Sequence, residues 1–122
     1  MYSGDFIVKL LVIVNESPWG SGLSLAAWRF VAAAVKSGVQ VSAVFFREDG
    51  IYNALAGEAV DAGTPGLADA WTELAASTGV RLMVCSSSRL RRLDVEAAPP
   101  FQPSGLTEMI ELMLHSDRVV TF

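Results

Sequence analysis

Residues 6–14 (Phe6-Ile7-Val8-Lys9-Leu10-Leu11-Val12-Ile13-Val14) form a nearly unbroken apolar, β-prone run in which only Lys9 is charged. A strand with one wet face alternates apolar and polar residues. A run without alternation marks a strand covered on both faces, and so a parallel sheet with helices above and below it. That requirement restricts the chain to α/β architectures. The helices follow in the sequence. Asn15 to Gly22 is turn chemistry, with Ser21 or Ser24 able to cap what comes next. From Leu23 to Lys36 apolar residues recur at helical spacing (Leu25, Trp28, Val31, Ala32, Val35), and Ser37-Gly38 ends the helix.

The alternation continues along the chain. Val39 to Phe46 reads as a second strand, and Ile51 to Leu55 as a short helical turn. Leu67 to Ser77 is a helix by its Leu67, Ala70, Trp71, Leu74, Ala75 spacing, and Gly79 to Cys85 holds a third, apolar strand followed by a short helix. Ser104, a candidate cap, opens a helix through Leu114, and Arg118 to Phe122 is a last strand. Gly57 to Gly66 reads as a polar loop, and Asp94 to Pro103 as an irregular bridge with three prolines. Strands alternating with helices imply parallel pairing through right-handed crossovers, hence a three-layer α/β/α sandwich. Residues 1–122 suit a single domain.

The apolar fraction, 52%, and a mean hydropathy of +0.41 are high for a chain without a membrane span. The longest apolar runs are broken by Lys9 and Arg29 and fall short of the ~20 residues a bilayer crossing needs. Part of this surface is therefore expected to be buried against other subunits. A net charge of −4, without a basic surface interleaved with aromatics, argues against direct nucleic-acid binding. The acidic start, with no small-residue cleavage site after Val14, is unlike a signal peptide, so the cytoplasm is the expected compartment. One Cys and one His are too few for an internal disulfide or an N/S metal site, and no cofactor is expected. Gly20-Ser21-Gly22 lacks the third glycine and the Lys-Ser/Thr of nucleotide loops.

Cys85 ends a strand and precedes Ser86, Ser87 and Ser88, which can cap a helix carrying Arg89, Arg91 and Arg92. A helix start leaves backbone N–H groups unpaired and contributes up to ~2 kcal/mol to a nearby anion, which favours a thiolate. Cys85 is thus a candidate nucleophile, with the three serines and Arg89 as thiolate-stabilising groups. The competing reading is a buried, inert cysteine at the end of a core strand. The arginines read either as a solvated face or as an electropositive collar around the sulfur, with Leu90 and Leu93 on the buried side. Arg47, Tyr52 and Asn53 follow the second strand and belong to the same carboxyl rim as Cys85, although the Tyr and Asn also suit simple packing. His115 closes a helix that leads into a strand, which puts it at the opposite edge of the sheet from Cys85 and disfavours a Cys–His pair.

With these residues in place the chain resembles the DsrE/TusD family of small sulfurtransferase subunits. The likeness rests on the first strand with its Pro18-Trp19-Gly20-Ser21 turn, on Val44 to Ala54, on the Trp71 helix, on Gly79 to Cys85 with Leu90-Arg91-Arg92, and on Ser116 to Phe122. The resemblance implies a cytoplasmic relay protein that takes a sulfane sulfur onto Cys85 as a persulfide and hands it to another protein. It also implies assembly with related DsrE-like subunits, as a hexamer, alongside a donor and an acceptor protein with reactive cysteines. Two pathways are open, tRNA 2-thiolation of the TusBCD type and sulfur oxidation of the DsrEFH type. The alternative from another class is a non-catalytic assembly subunit whose Cys85 is inert.

Overall fold

The computed structural model describes residues 7–19, 21–55, 66–93 and 97–122. Strands β1 (Lys9–Val14), β2 (Gln40–Phe46), β3 (Leu82–Cys85), β4 (Phe101–Ser104) and β5 (Arg118–Thr121) form one sheet in the order β4-β3-β2-β1-β5, every pairing parallel. Helices α1 (Leu23–Lys36), α2 (Leu67–Thr78), α3 (Ser86–Arg92) and α4 (Leu106–Leu114) link them, with a 3₁₀ segment, Glu48–Ala54, after β2. As the unbroken apolar run requires, Leu10 to Val14 are all buried.

Strand order and the handedness of crossovers together decide which face each helix covers. From β1 to β4 the sheet grows in one direction, so right-handed connections put their helices on one face; β4 to β5 runs back past β1, so α4 falls on the other. The packing agrees. Ala27 and Val31 of α1 and Trp71 and Leu74 of α2 pack with Val12, Val14, Val44, Phe46, Leu82 and Val84, whereas Met109 of α4 packs with Leu11, Ile13, Ala43, Phe45, Met83 and Cys85. A register shift between Leu10 and Leu11 turns Val41 toward the first face.

Two glycines are required by geometry. Gly79 closes α2 with φ of 76°, a left-handed turn that glycine adopts without strain. Gly50 lies so near the end of β1 that a Cβ there would overlap the Val14 carbonyl oxygen.

Several readings change. Phe101–Ser104 is a strand, not part of an irregular bridge; it is an edge strand, where Pro103 costs no ladder bond on its open side. Ser104 ends that strand and does not cap α4, whose N-cap is Gly105 without a side-chain cap. Ser24 does not cap α1 but donates from its buried hydroxyl to the carbonyls of Glu16 and Ser17, pinning the β1–α1 loop. Leu90 is 70% exposed and Leu93 alone of the pair packs on the core, because α3 is docked by polar contacts. Gly20 and most of the Gly57–Gly66 loop lie outside the described residues, as do residues 94–96. Among the described residues no helix is long and apolar enough to cross a membrane.

Candidate functional site

Cys85 is the last residue of β3 and the N-cap residue of α3, with its thiol making no capping hydrogen bond. It is 2% exposed in the isolated chain and belongs to the face that α4 covers. Strand alternation makes Met83 and Cys85 point to that face while Leu82 and Val84 point to the other. The register then sets its neighbours. Ser104 of β4 pairs with Cys85 directly. On β2, Phe46 pairs with Val84, so the next residue, Arg47, stands beside Cys85; its backbone is extended (φ −124°, ψ 166°) and its N–H continues the ladder to the Val14 carbonyl. Asn15 occupies the same row beyond β1.

This row across the carboxyl edge holds an unusual feature. Among the described residues, three buried side-chain polar atoms have no hydrogen-bond partner: Asn15 Oδ1, Arg47 Nε and Ser104 Oγ. All three belong to the Cys85 row. Buried polar groups in folded proteins are nearly always paired, so three orphans in one row are not the ordinary result of packing.

The other residues singled out in the sequence are distributed differently. Ser88 is buried and accepts a hydrogen bond from the Glu48 N–H at 3.0 Å, fixing α3 to the 3₁₀ segment. Arg92 donates to Asp49 at 3.0 Å and to Glu48 at 2.8 Å, and Arg91 reaches Glu48 at 3.5 Å, so both guanidiniums face carboxylates of the chain itself. The Asp49 hydrogen bond foremost, then Glu48, raises the Arg92 pKa against the opposing effect of desolvation. Glu48, the shared acceptor, sits at φ of 48°, a left-handed conformation costly for a residue with a side chain. Ser86 and Arg89 line a cavity of about 120 Å³ with Val84, Ala97 and Pro103. Val84 and Ala97 mark that side of the sheet as the one opposite the Cys85 side chain. Ser87 is exposed.

Asn53 is fully buried and its amide donates to the Glu16 carbonyl, Ser24 Oγ and the Gly50 carbonyl while Oδ1 accepts from Trp71 Nε1, so this side chain ties together the β1–α1 loop, the 3₁₀ segment and α2. Tyr52 is half-buried and packs against exposed Trp19, the rings tilted by 41° with centroids 5.5 Å apart. His115, bonded to the Glu111 carbonyl, shares a cavity of about 230 Å³ with Arg81, Glu108 and Glu111. Arg81 precedes β3, so His115 lies at the amino edge, away from Cys85. Sequence reading missed Ser104 and Asn15 as neighbours of the thiol. Only the register, which brings four separate strands into one row, reveals them.

A model of the DsrE/DsrF-like family matches residues 8–122. The chain belongs to that family. It is 31% identical to a protein of Vibrio vulnificus strain CMCP6 named a sulfurtransferase TusD homolog, over 94% of this chain and 98% of that one. It is 27% identical, with the same coverage, to an Allochromatium vinosum protein provisionally named sulfurtransferase DsrE. The crystal structure of the ychN protein from E. coli superposes with a TM-score of 0.81 at 20% identity, over 95% of this chain and all of that one, which speaks for the fold. The α/β architecture with a parallel sheet expected from the sequence is thus the fold observed, with β4 as a strand beyond the four expected.

Proposed function

We propose that the protein is a sulfurtransferase of the sulfur-relay type, in which Cys85 takes up a sulfane sulfur as a persulfide and passes it to an acceptor protein thiol. The observation that carries this reading is the position of the chain's single thiol, at the carboxyl end of β3, in a family whose named relatives include sulfurtransferases. The chemistry asks little of the fold. The Cys85 thiolate attacks the outer sulfur of a donor persulfide; the new S–S bond forms as the donor's S–S bond breaks, and the donor departs as a thiolate. An acceptor thiolate then repeats the displacement and Cys85 leaves in turn. No net oxidant or reductant is required. With one cysteine in the chain, both steps are intermolecular.

The partners of this reading are a donor, an acceptor and related DsrE-like subunits in a cytoplasmic assembly. Ile110, Met113 and Leu114 of α4 are exposed on the face that bears Cys85, which supports a second DsrE-like chain as the occupant of that surface. The process served is tRNA 2-thiolation or sulfur oxidation, chosen by the acceptor.

The rival reading, an assembly subunit with an inert cysteine, draws on the 2% exposure of Cys85. Intact mass after incubation with a persulfide donor separates the two. A gain of one sulfur atom that disappears in Cys85→Ser supports the relay; an unchanged wild-type mass supports the rival.

A further inference from the structure

We infer that Ser104 and Arg47 hold the outer sulfur of a persulfide carried on Cys85, as its hydrogen-bond donor and its countercharge. This rests on the sulfur-relay reading of Cys85 and adds the groups that receive the cargo. Cys85 lies on the strand between β4 and β2, and a buried donor without a partner flanks it in the row on either side: Ser104 Oγ at the end of β4 and Arg47 Nε just beyond β2. Ser104 is 2% exposed, so its hydroxyl is shielded from bulk solvent. Leaving a buried donor unpaired is unfavourable, and the arrangement makes sense when a further acceptor atom occupies the row.

A single added sulfur lengthens the Cys85 side chain within this row. Adjacent strands lie roughly 4.8 Å apart, and an S–S bond extends about 2.05 Å beyond Sγ. An outer sulfur on Cys85 is thereby brought toward donors that the thiol alone leaves unbonded. A persulfide is more acidic than the parent thiol, so the added atom arrives as an anion, and donors and a cation are what it needs.

Other charges near the row are engaged elsewhere. Glu48 and Asp49 of the 3₁₀ segment pair with Arg91 and Arg92 of α3. On α4, Glu108 and Glu111 stand with His115 and Arg81 around the amino-edge cavity, and Arg89 lines the cavity on the opposite face. Arg47 makes no ion pair among the described residues, which leaves it as the charge within the row. Asn15 stands on the far side of Arg47 from Cys85, out of the sulfur's reach.

Held as an anion, the outer sulfur resists attack by a second nucleophile, so these residues would store the cargo until an acceptor displaces their hold. The test loads the full-length protein with glutathione persulfide, confirms the added sulfur by mass, and titrates the near-ultraviolet absorption of the persulfide anion against pH. Removing a donor to the anion makes it harder to form. Ser104→Ala is expected to raise the titration midpoint by about one pH unit, a tenfold loss of anion at a given lower pH, and Arg47→Gln to raise it in the same direction. The melting temperature of unloaded Ser104→Ala should equal or exceed that of wild type, since an unpaired hydroxyl is removed. Midpoints unchanged in both loaded variants overturn the assignment of Ser104 and Arg47 and leave the relay reading intact. A clear loss of unloaded stability in Ser104→Ala with an unchanged midpoint does the same, by making Ser104 structural. A wild-type protein that takes up no sulfur overturns the relay reading itself.

Discussion

On the face beneath α1 and α2, Trp71, Phe46, Ile51 and Val31 are completely buried, and Trp71 packs edge-on against Phe46 with centroids 5.2 Å apart. On the face beneath α4 the helix turns Met109 inward but leaves Ile110 52% and Leu114 77% exposed, and Val119 of β5 is also uncovered. Among the described residues, the same sheet has one closely covered face and one that a single nine-residue helix covers. Strand order is the cause, since growth in one direction from β1 to β4 sends the earlier crossovers to one side. The Cys85 side chain points to the less covered side, and the orphaned polar atoms lie along its edge. Structural investment and chemical opportunity are thus separated by the plane of the sheet.

The sharpest way to break this contrast is to damage the closely covered face. Trp71→Ala should cost about 3–5 kcal/mol, much of the 5–15 kcal/mol that holds a typical domain together, and chemical denaturation should register it as a large fall in midpoint. Next comes Asn53→Ala. It removes the amide that joins three segments and strands the Trp71 indole N–H, for an expected loss of about 1–3 kcal/mol in the same assay. A near-neutral result at either position would mean that this face does not carry the fold.

On the other face the expectation reverses. Ile110→Glu should change the stability of the isolated chain by no more than about 0.5 kcal/mol while abolishing association with DsrE-like subunits, as read by light scattering. Unaltered assembly would place the interface elsewhere. The smallest effect belongs to Arg92→Ala, which removes two of the ionic contacts between α3 and the 3₁₀ segment at the surface. Wild-type stability should decline slightly with added salt, and the variant should lose that dependence.

How much of this was legible beforehand follows the same division. β1, β2 and β3 carry apolar runs and α1 and α2 helical spacing because each buries much of its surface, and these elements, with α4 and β5, agree in position with the expectation to within a few residues at the ends. β4 carried no such signal. Four residues, Phe101-Gln102-Pro103-Ser104, become a strand because the edge of β3 offers them partners, and Pro103 points away from that assignment when read locally. α3 misled for a related reason: its arginines and Ser88 dock on Glu48, Asp49 and the Glu48 N–H, so polar contacts replace the apolar stripe that Leu90 and Leu93 suggested. Cys85 was visible as the lone thiol between a strand and a serine run. Its companions Arg47 and Ser104 are neighbours only through register, which no local pattern encodes.

The relay role of Cys85 is tested most directly by a single-turnover chase. A labelled sulfane sulfur is loaded onto the full-length protein from a persulfide donor, the donor is removed, and a thiol acceptor is added. One equivalent of label per chain should move first to the protein and then to the acceptor, with both transfers absent in Cys85→Ser. Label that never attaches to the wild-type chain, or that reaches the acceptor equally well without Cys85, contradicts the account.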